Sequence, residues 1–294
     1  MRAAVVRTFG GPEAVEVVEA ELPEPAARQV RIKVAAAALN PVDAGVRSGV
    51  FGGAGKEIGL GWDVAGTVDA TGVATAWNVG DEVVALDYGM VKPLGTHAEY
   101  VVVDTDAVAE APASVDAVAA ATLPLNALTA VQALDLLELT PGQTLLVTGA
   151  AGAVGGFAVQ LAAHRGIAVT GLAREADEQL VRSLGAAGFT ATGEGSYDAV
   201  LDAAVLGEAA LARVRDGGAY AGVIPQAQPA SVRGVRTTAV EVSADGARLA
   251  ELVRLVDEGV LTLRVAETFA LDDAAKAHAR LAEGGVRGRL VLVP

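Results

Sequence analysis

Apolar residues recur along this chain with two different periods. In the first third they gather in short β-prone runs, so residues 1–8, 13–19, 29–36, 66–70, 82–85 and 98–103 read as β-strands. Turns such as Gly10-Gly11-Pro12 and Asn78-Val79-Gly80-Asp81 separate them. From residue 115 the spacing becomes helical, over 115–120 and again over 128–136, until Thr140-Pro141-Gly142 ends it. A strict alternation follows: strand 144–148, helix 153–165 with Val154, Ala158, Leu161 and Ala162 on one face, strand 167–173, helix 175–184 stopped by Gly185, strand 199–203, helix 206–214 and strand 219–224. Strands interleaved with helices in this way predict a parallel, doubly wound sheet, and the β-rich start predicts a separate small domain. Residues 245–258 form an amphipathic helix with Leu249, Leu252, Val253 and Val256 on one face and Gly259 as its stop. The tail, 263–294, returns to strand, helix, strand, and the chain shows no repeat, low-complexity tract or flexible linker.

The junction of the first strand and helix of the alternating region carries the strongest chemical signal. There the seven residues Gly149, Ala150, Ala151, Gly152, Ala153, Val154 and Gly155 make a small-residue turn that opens a helix. A pyrophosphate needs backbone N–H donors with no side chain in the way, and it gains from the positive end of a helix dipole. The spacing is GxxGxxG rather than the commoner GxGxxG, so the strand before it and the helix and strand after it carry the assignment to a dinucleotide site. The plainer alternative is a tight turn whose glycines only let the helix pack closely on the sheet.

Composition narrows the remaining possibilities. The 294 residues suffice for two domains, and a hydrophobic content of 52% implies a large core of mostly small side chains, since only 4% are aromatic. With 22 basic against 36 acidic residues, the net charge of −14 argues against nucleic acid or an anionic membrane as partner. No signal peptide or membrane-spanning stretch is read, so a cytoplasmic protein is expected. The absence of cysteine excludes disulfides, thiolate nucleophiles and zinc sites that use sulfur. The three histidines are scattered: His97 on a strand after a turn, His164 in the last turn of a helix, and His278 on a helical face with Ala274 and Leu281, so no metal site is expected. No GxSxG elbow supports a serine hydrolase.

The β-rich start, the run from Leu139 to Gly155 (LTPGQTLLVTGAAGAVG) and the ending Val286-Arg287-Gly288-Arg289-Leu290-Val291-Leu292-Val293 together resemble the zinc-free medium-chain dehydrogenase/reductases of the quinone oxidoreductase, or zeta-crystallin-like, group. Ala38-Leu39-Asn40-Pro41-Val42-Asp43, Val79-Gly80-Asp81-Glu82-Val83, Gly95-Thr96-His97-Ala98-Glu99-Tyr100 and the eight residues from Leu123 to Ala130 extend the likeness over nearly the whole chain. The resemblance implies an α/β protein with a GroES-like β-rich catalytic domain, residues 1–115 and 263–294, and a Rossmann NADP-binding domain, residues 116–262, with the active site in the cleft between them. It also implies hydride transfer from a nicotinamide cofactor. Without a Lewis acid to polarise a simple carbonyl, the acceptor expected is a quinone or another conjugated carbonyl, over which the incoming charge delocalises to a distant oxygen. An enoyl reductase acting on a polyketide-type or acyl thioester, and a cofactor-binding protein without turnover, are the alternatives.

Individual residues follow from the motif and the resemblance. NAD-preferring sites place an acid at the end of the second strand, whereas this chain has Ala173 followed by Arg174, whose planar guanidinium suits a 2′-phosphate; the cofactor expected is therefore NADPH. Glu175 beside it could instead pair with Arg174 or contact a ribose. By resemblance, Asn126 and Thr129 pass beneath the nicotinamide, and Gly222, Val223 and Ile224 end the strand that faces it. On the acceptor side the resemblance puts Asn40 near the acceptor, although Asn40-Pro41-Val42-Asp43 also reads as a helix cap. Asp43 and Tyr88 are the candidates for a proton donor or ring partner, because Ala44 and Gly45 stand where relatives carry an aromatic. Residues 237–242 have the β-branched character of a dimer-edge strand, and a homodimer is expected.

Overall fold

The computed structural model describes residues 1–294. In chain order the first stretch carries β1 (Arg2–Val6), β2 (Val15–Glu19), β3 (Gln29–Leu39), α1 (Pro41–Arg47), β4 (Ile58–Gly59), β5 (Asp63–Thr71), β6 (Glu82–Leu86), β7 (Tyr100–Asp104), β8 (Val108–Glu110), α2 (Ala117–Ala120) and α3 (Pro124–Leu137). The middle carries β9 (Thr144–Thr148), α4 (Ala153–His164), β10 (Ala168–Leu172), α5 (Glu178–Ser183), β11 (Gly188–Thr190), β12 (Tyr197–Asp202), α6 (Glu208–Leu211), β13 (Val214–Gly222) and β14 (Arg236–Ala239). The end carries α7 (Gly246–Asp257), β15 (Val265–Ala270), α8 (Ala274–Glu283) and β16 (Arg289–Val293). No helix is long and apolar enough to cross a membrane.

These elements form two units, one of residues 1–125, 243–257 and 263–294, the other of 126–242 and 258–262. The second unit is a six-stranded parallel sheet in the order β11-β10-β9-β12-β13-β14, the doubly wound order whose switch point lies between β9 and β12. Leu146, Val200, Leu211, Val214 and Tyr220 are among its buried side chains. The first unit has a three-stranded sheet, β2-β1-β4, and a larger one in the order β15-β16-β3-β5-β6-β8, with β7 also on β3. One of its cores joins Leu39, Ile58 and Leu60 to Leu271, Leu290 and Leu292 of the tail. The other is built from the valines of β3, β5, β6 and β7 with Ile32.

Where the structure departs from the pattern, a partner distant in sequence is the cause. Strand β3 runs on to Leu39, past the expected end at 36, because Ala37, Ala38 and Leu39 pair with Leu292, Val291 and Leu290. Alanine is a weak strand former, and the tertiary pairing overrides that preference. The expected helix 206–214 shrinks to α6, and Val214 already opens β13, whose polar middle, Arg215-Asp216-Gly217-Gly218, disguises it as a loop. Helix α7, expected in the dinucleotide domain, belongs to the first unit together with residues 116–125. Its first residue explains why. A Cβ on Gly246 would stand 2.4 Å from the Val108 carbonyl oxygen, so the helix begins flush against β8. Its last residue, Asp257, accepts hydrogen bonds from the backbone N–H groups of Ser114 (2.9 Å) and Ala113 (3.3 Å).

That close approach makes Gly246→Ala an overpacking substitution against backbone. It should destabilise the protein by roughly 1 to 3 kcal/mol in urea unfolding, with α7 opening first in hydrogen exchange. Wild-type stability in Gly246→Ala would mean that the helix shifts away at no cost.

Candidate functional site

In the second unit, β9 delivers the chain into the turn at the switch point. Gly149 has φ +61°, a left-handed conformation that favours glycine, and the turn closes through Gly152 N–H to the Gly149 carbonyl (2.8 Å). Ala150 N–H donates to the Leu172 carbonyl (3.1 Å), tying the turn to β10. The seven small residues then divide into two groups. Ala150, Ala151 and Gly155 are buried, and a Cβ on Gly155 would lie 2.2 Å from the Gly149 carbonyl oxygen, so this glycine serves packing. Gly152 is exposed and is the N-cap of α4, with Ala153 and Val154 half-buried beyond it. A Cβ at Gly152 would meet only the Gly149 oxygen, at 3.0 Å. A glycine cap brings no side-chain acceptor of its own to the first-turn N–H groups of α4, which a phosphate could satisfy instead. The residues present therefore fit a dinucleotide.

At the end of β10, Ala173 is half-buried and Arg174 exposed. Arg174 enters no ion pair with Glu175, the alternative left open by the sequence. Asn126 and Thr129 lie buried on α3. Gly222 ends β13, Val223 follows half-buried, and Ile224 is exposed at the start of a single 3₁₀ turn.

The sequence reading missed a polar cluster at the same ends of the sheet. Asp202 Oδ1 accepts from the Thr148 hydroxyl (2.5 Å), while Oδ2 accepts from the Tyr220 hydroxyl and from Gly207 N–H, both at 2.8 Å. Thr148 Oγ1 in turn accepts from Ala204 N–H (3.0 Å). Burial and the Asp202 carboxylate raise the Tyr220 phenol above its usual range, so it stays a donor. Together these bonds shape the loop 203–207, where Val205 has φ +57°, a conformation that a β-branched residue rarely adopts, and stands 41% exposed. An aspartate closing the apolar run Tyr197-Asp198-Ala199-Val200-Leu201-Asp202 was the available signal.

In the first unit, Asn40 and Asp43 sit in a buried cluster at the start of α1. Asp43 uses both oxygens on backbone: Oδ2 accepts from Asn40 N–H and Oδ1 from Gly61 N–H, each at 2.8 Å. Asn40 is 1% exposed, and its side-chain amide donates to Asp63 Oδ2 (2.6 Å) and accepts from Arg289 Nη2 (2.6 Å). Asp63 Oδ1 accepts from Leu125 N–H (2.6 Å). Burial pushes the Asp63 carboxyl up to about 7, against the opposing pull of Leu125 N–H, the Asn40 amide and Arg289. Burial lowers Arg289, and Asp63 and Asp43 hold it up.

Tyr88 is 42% exposed, its ring packed edge-on against buried Trp62 (centroids 5.1 Å). Lys92 lies over the Trp62 ring at 5.6 Å and pairs with Asp87 at 2.6 Å. The missing aromatic of α1 has a replacement that the sequence reading did not find. A Cβ on Gly45 would stand 2.8 Å from Phe51 Cε2, so the Phe51 ring, 37% exposed, covers the space that a side chain at position 45 would take. His97 and His278 are buried with rings 6.4 Å apart, and burial brings His278 down to about 3, so it is neutral. His97 Nε2 contacts the Ala38 carbonyl (3.1 Å). No three histidine, aspartate or glutamate side chains come together as metal ligands would.

Removing the Asp202 carboxylate would strand two buried hydroxyls and the Gly207 N–H. Asp202→Ala should therefore destabilise by about 3 kcal/mol or more in urea unfolding, and Asp202→Asn, which keeps an acceptor, by less. Equal stability of both variants and wild type would mean that the three donors find other partners.

Two family models match the chain, the alcohol dehydrogenase GroES-like domain over residues 26–113 and the zinc-binding dehydrogenase over residues 174–292. The second name describes zinc enzymes, and this chain lacks the cysteines of a thiolate site. It is 33% identical to the chloroplastic NADPH-dependent alkenal/one oxidoreductase of Arabidopsis thaliana, over all of this chain and 80% of that protein. It is 29% identical to a quinone oxidoreductase of Pseudomonas aeruginosa, over 97% of each. The solved quinone oxidoreductase of Coxiella burnetii superposes with a TM-score of 0.90 at 28% identity, covering 100% of this chain and 99% of that one. With the GroES-like sheet and the Rossmann order both present, the chain belongs to the medium-chain dehydrogenase/reductase family of oxidoreductases.

Proposed function

We propose that the chain transfers a hydride from NADPH to a quinone or another conjugated carbonyl without a metal. The observation that carries this reading is the open glycine cap of α4 at the switch point of the parallel sheet, in a chain without cysteine. When bound, the dinucleotide supplies the hydride; the protein binds and orients. Backbone N–H groups of Ala153 and Val154, in the first turn of α4, receive the pyrophosphate. Asn126, Thr129, Gly222, Val223 and Ile224 line the nicotinamide side, joined by the loop that Asp202 shapes. Arg174, exposed and beside Ala173 rather than an acid, supports NADPH over NADH, as does the likeness to the NADPH-dependent alkenal/one oxidoreductase of Arabidopsis.

On the acceptor side Asn40 and Asp43 form the buried frame, and Tyr88 and Phe51 are the exposed aromatics available to a planar acceptor. The relatives' names, alkenal/one and quinone oxidoreductase, support that acceptor class. A conjugated acceptor spreads the incoming charge onto an oxygen that hydrogen-bond donors or water can meet, which removes the need for a Lewis acid. Strand β14, at the edge of the parallel sheet, supports a homodimer formed through that edge. The deciding experiment is a panel of quinones, enones and enoyl thioesters assayed with NADPH. Turnover confined to enoyl thioesters, or none at all, would overturn the reading.

Two substitutions test the cofactor residues. Gly152→Val covers the cap, its Cβ approaching the Gly149 carbonyl oxygen at 3.0 Å, so in the folded variant it should weaken NADPH binding by about 2 kcal/mol, roughly thirtyfold, in fluorescence titration. Full affinity in a folded variant would reduce the turn to a packing device.

Arg174→Ala should weaken NADPH by roughly 1.5 to 3 kcal/mol, the range for a hydrogen bond to a charged group, and leave NADH nearly unchanged. Adding Ala173→Asp should go further toward NADH, because a carboxylate repels the phosphate and accepts from the ribose hydroxyls. Equal losses for both cofactors would show that Arg174 is not the phosphate ligand.

A further inference from the structure

The buried polar cluster of the first unit has an arrangement that packing does not require. Asn40 comes from the end of β3, Asp63 from β5, and Arg289 from β16, and Arg289 also donates to the Leu39 carbonyl. All three side chains are buried. Burying a carboxylate and a guanidinium, here joined through the Asn40 amide rather than to each other, seldom stabilises a fold more than apolar side chains of the same volume would, and one reason to keep them is that they fix a geometry. Here the geometry fixed is that of one amide. Arg289 can only donate and an ionised Asp63 can only accept, so the Asn40 oxygen must face the guanidinium and its nitrogen the carboxylate. Turning the amide over would set N–H against guanidinium and C=O against carboxylate. The Asn40 nitrogen also lies 3.4 Å from the Ala38 carbonyl, a long contact. The second oxygen of Asp63 holds Leu125 N–H and so fixes the first turn of α3.

We propose that Asp63 and Arg289 are positioning residues for the reductase, gripping the Asn40 amide from its two ends and pinning the first turn of α3. This rests on the proposed function. It assigns work to two residues that touch neither cofactor nor acceptor. The grip needs the carboxylate, because a proton on Asp63 would have to sit against either the Asn40 amide or Leu125 N–H. The charged groups facing it are Arg289 from β16 and Asp43 from α1; Arg264 stands beside Arg289, and His97, across the shared Ala38 carbonyl, is disfavoured as a cation by burial. As pH falls through about 7 the grip should therefore loosen.

The test uses the full chain with NADPH and a naphthoquinone. In wild type, kcat/KM for the quinone should fall as pH drops through about 7, and the Asn40 side-chain amide resonances should shift over the same range. Asp63→Asn should lower kcat/KM roughly tenfold to a hundredfold, the loss expected for a hydrogen bond to a charged group, and remove the inflection, while its NADPH affinity stays within about threefold. Arg289→Lys, which keeps the charge but not the planar Nη2 group that reaches both the Leu39 and Asn40 oxygens, should lower kcat/KM and retain the inflection. A folded Asp63→Asn enzyme with wild-type kcat/KM and pH profile would overturn the proposal. So would wild-type Asn40 resonances that stay fixed while the rate titrates, and this second measurement decides the matter if the variants do not fold. Failure of the functional reading looks different: wild type would then reduce no quinone or enone at any pH, whereas the Asn40 resonances would still report on Asp63.

Discussion

The dinucleotide half of this protein depends on how closely α4 can approach the turn that precedes it. The Gly149 carbonyl oxygen occupies the place where any side chain at position 155 would begin, so nothing larger than hydrogen fits there. Gly171 repeats the constraint one strand away, where a Cβ would stand 2.3 Å from Val181 Cγ1 and 2.9 Å from Ala150 Cβ. The helix and sheet are thus in backbone contact at this turn, and the N-cap of α4 is itself a glycine. The same small residues that bring the layers together leave the cap of α4 open.

The first unit is organised on a different principle. Its strands are paired by partners far apart in sequence, and its two valine- and leucine-rich cores leave a polar seam where β3, β5 and β16 meet. Asn40, Asp43, Asp63 and Arg289 fill that seam. Each hydrogen bond there costs desolvation as well as contributing attraction, so the net gain in stability is small while the gain in definition is large. Rigid placement of one amide and one helix start is what such a cluster provides.

How much of this was legible in the sequence depends on the distance between interacting partners. The phosphate turn was legible because its requirements are local: a strand, three glycines and a helix within a few residues specify it. The place of Arg174 just beyond the end of β10 was legible for the same reason, since it follows from one strand. The expected Rossmann and GroES-like folds are both present in the structure. Asp202 and Tyr220 are 18 residues apart, Asp63 and Leu125 are 62 apart, and Arg289 meets Asn40 across 249. No periodicity encodes contacts of that kind. The short strands β4, β8 and β11 were missed because two or three residues cannot show alternation. Phe51 stayed hidden because its significance lies in an absence six residues earlier, at Gly45, that only the packed structure connects to it.

That exchange of Phe51 for a side chain on α1 bears on the chemistry. An aromatic on a helix has its ring fixed by two neighbouring turns, whereas Phe51 hangs from a segment in which Gly49, Gly52, Gly53 and Gly55 all have positive φ. A Cβ at Gly52 or Gly55 would meet nothing within 4 Å, whereas one at Gly53 would stand 2.7 Å from Ile58 Cδ1, so the segment beyond the ring is held at one point rather than along a helix turn. A ring held this way adapts to acceptors of different width more readily than one mounted on a helix, and it gives up some orientation in exchange. Hydride transfer to a conjugated acceptor tolerates that exchange, because charge spread over several atoms does not demand a single fixed oxyanion contact. A loosely mounted aromatic, a rigid amide frame and no thiolate metal site are together consistent with an enzyme that accepts a class of conjugated carbonyls rather than one compound.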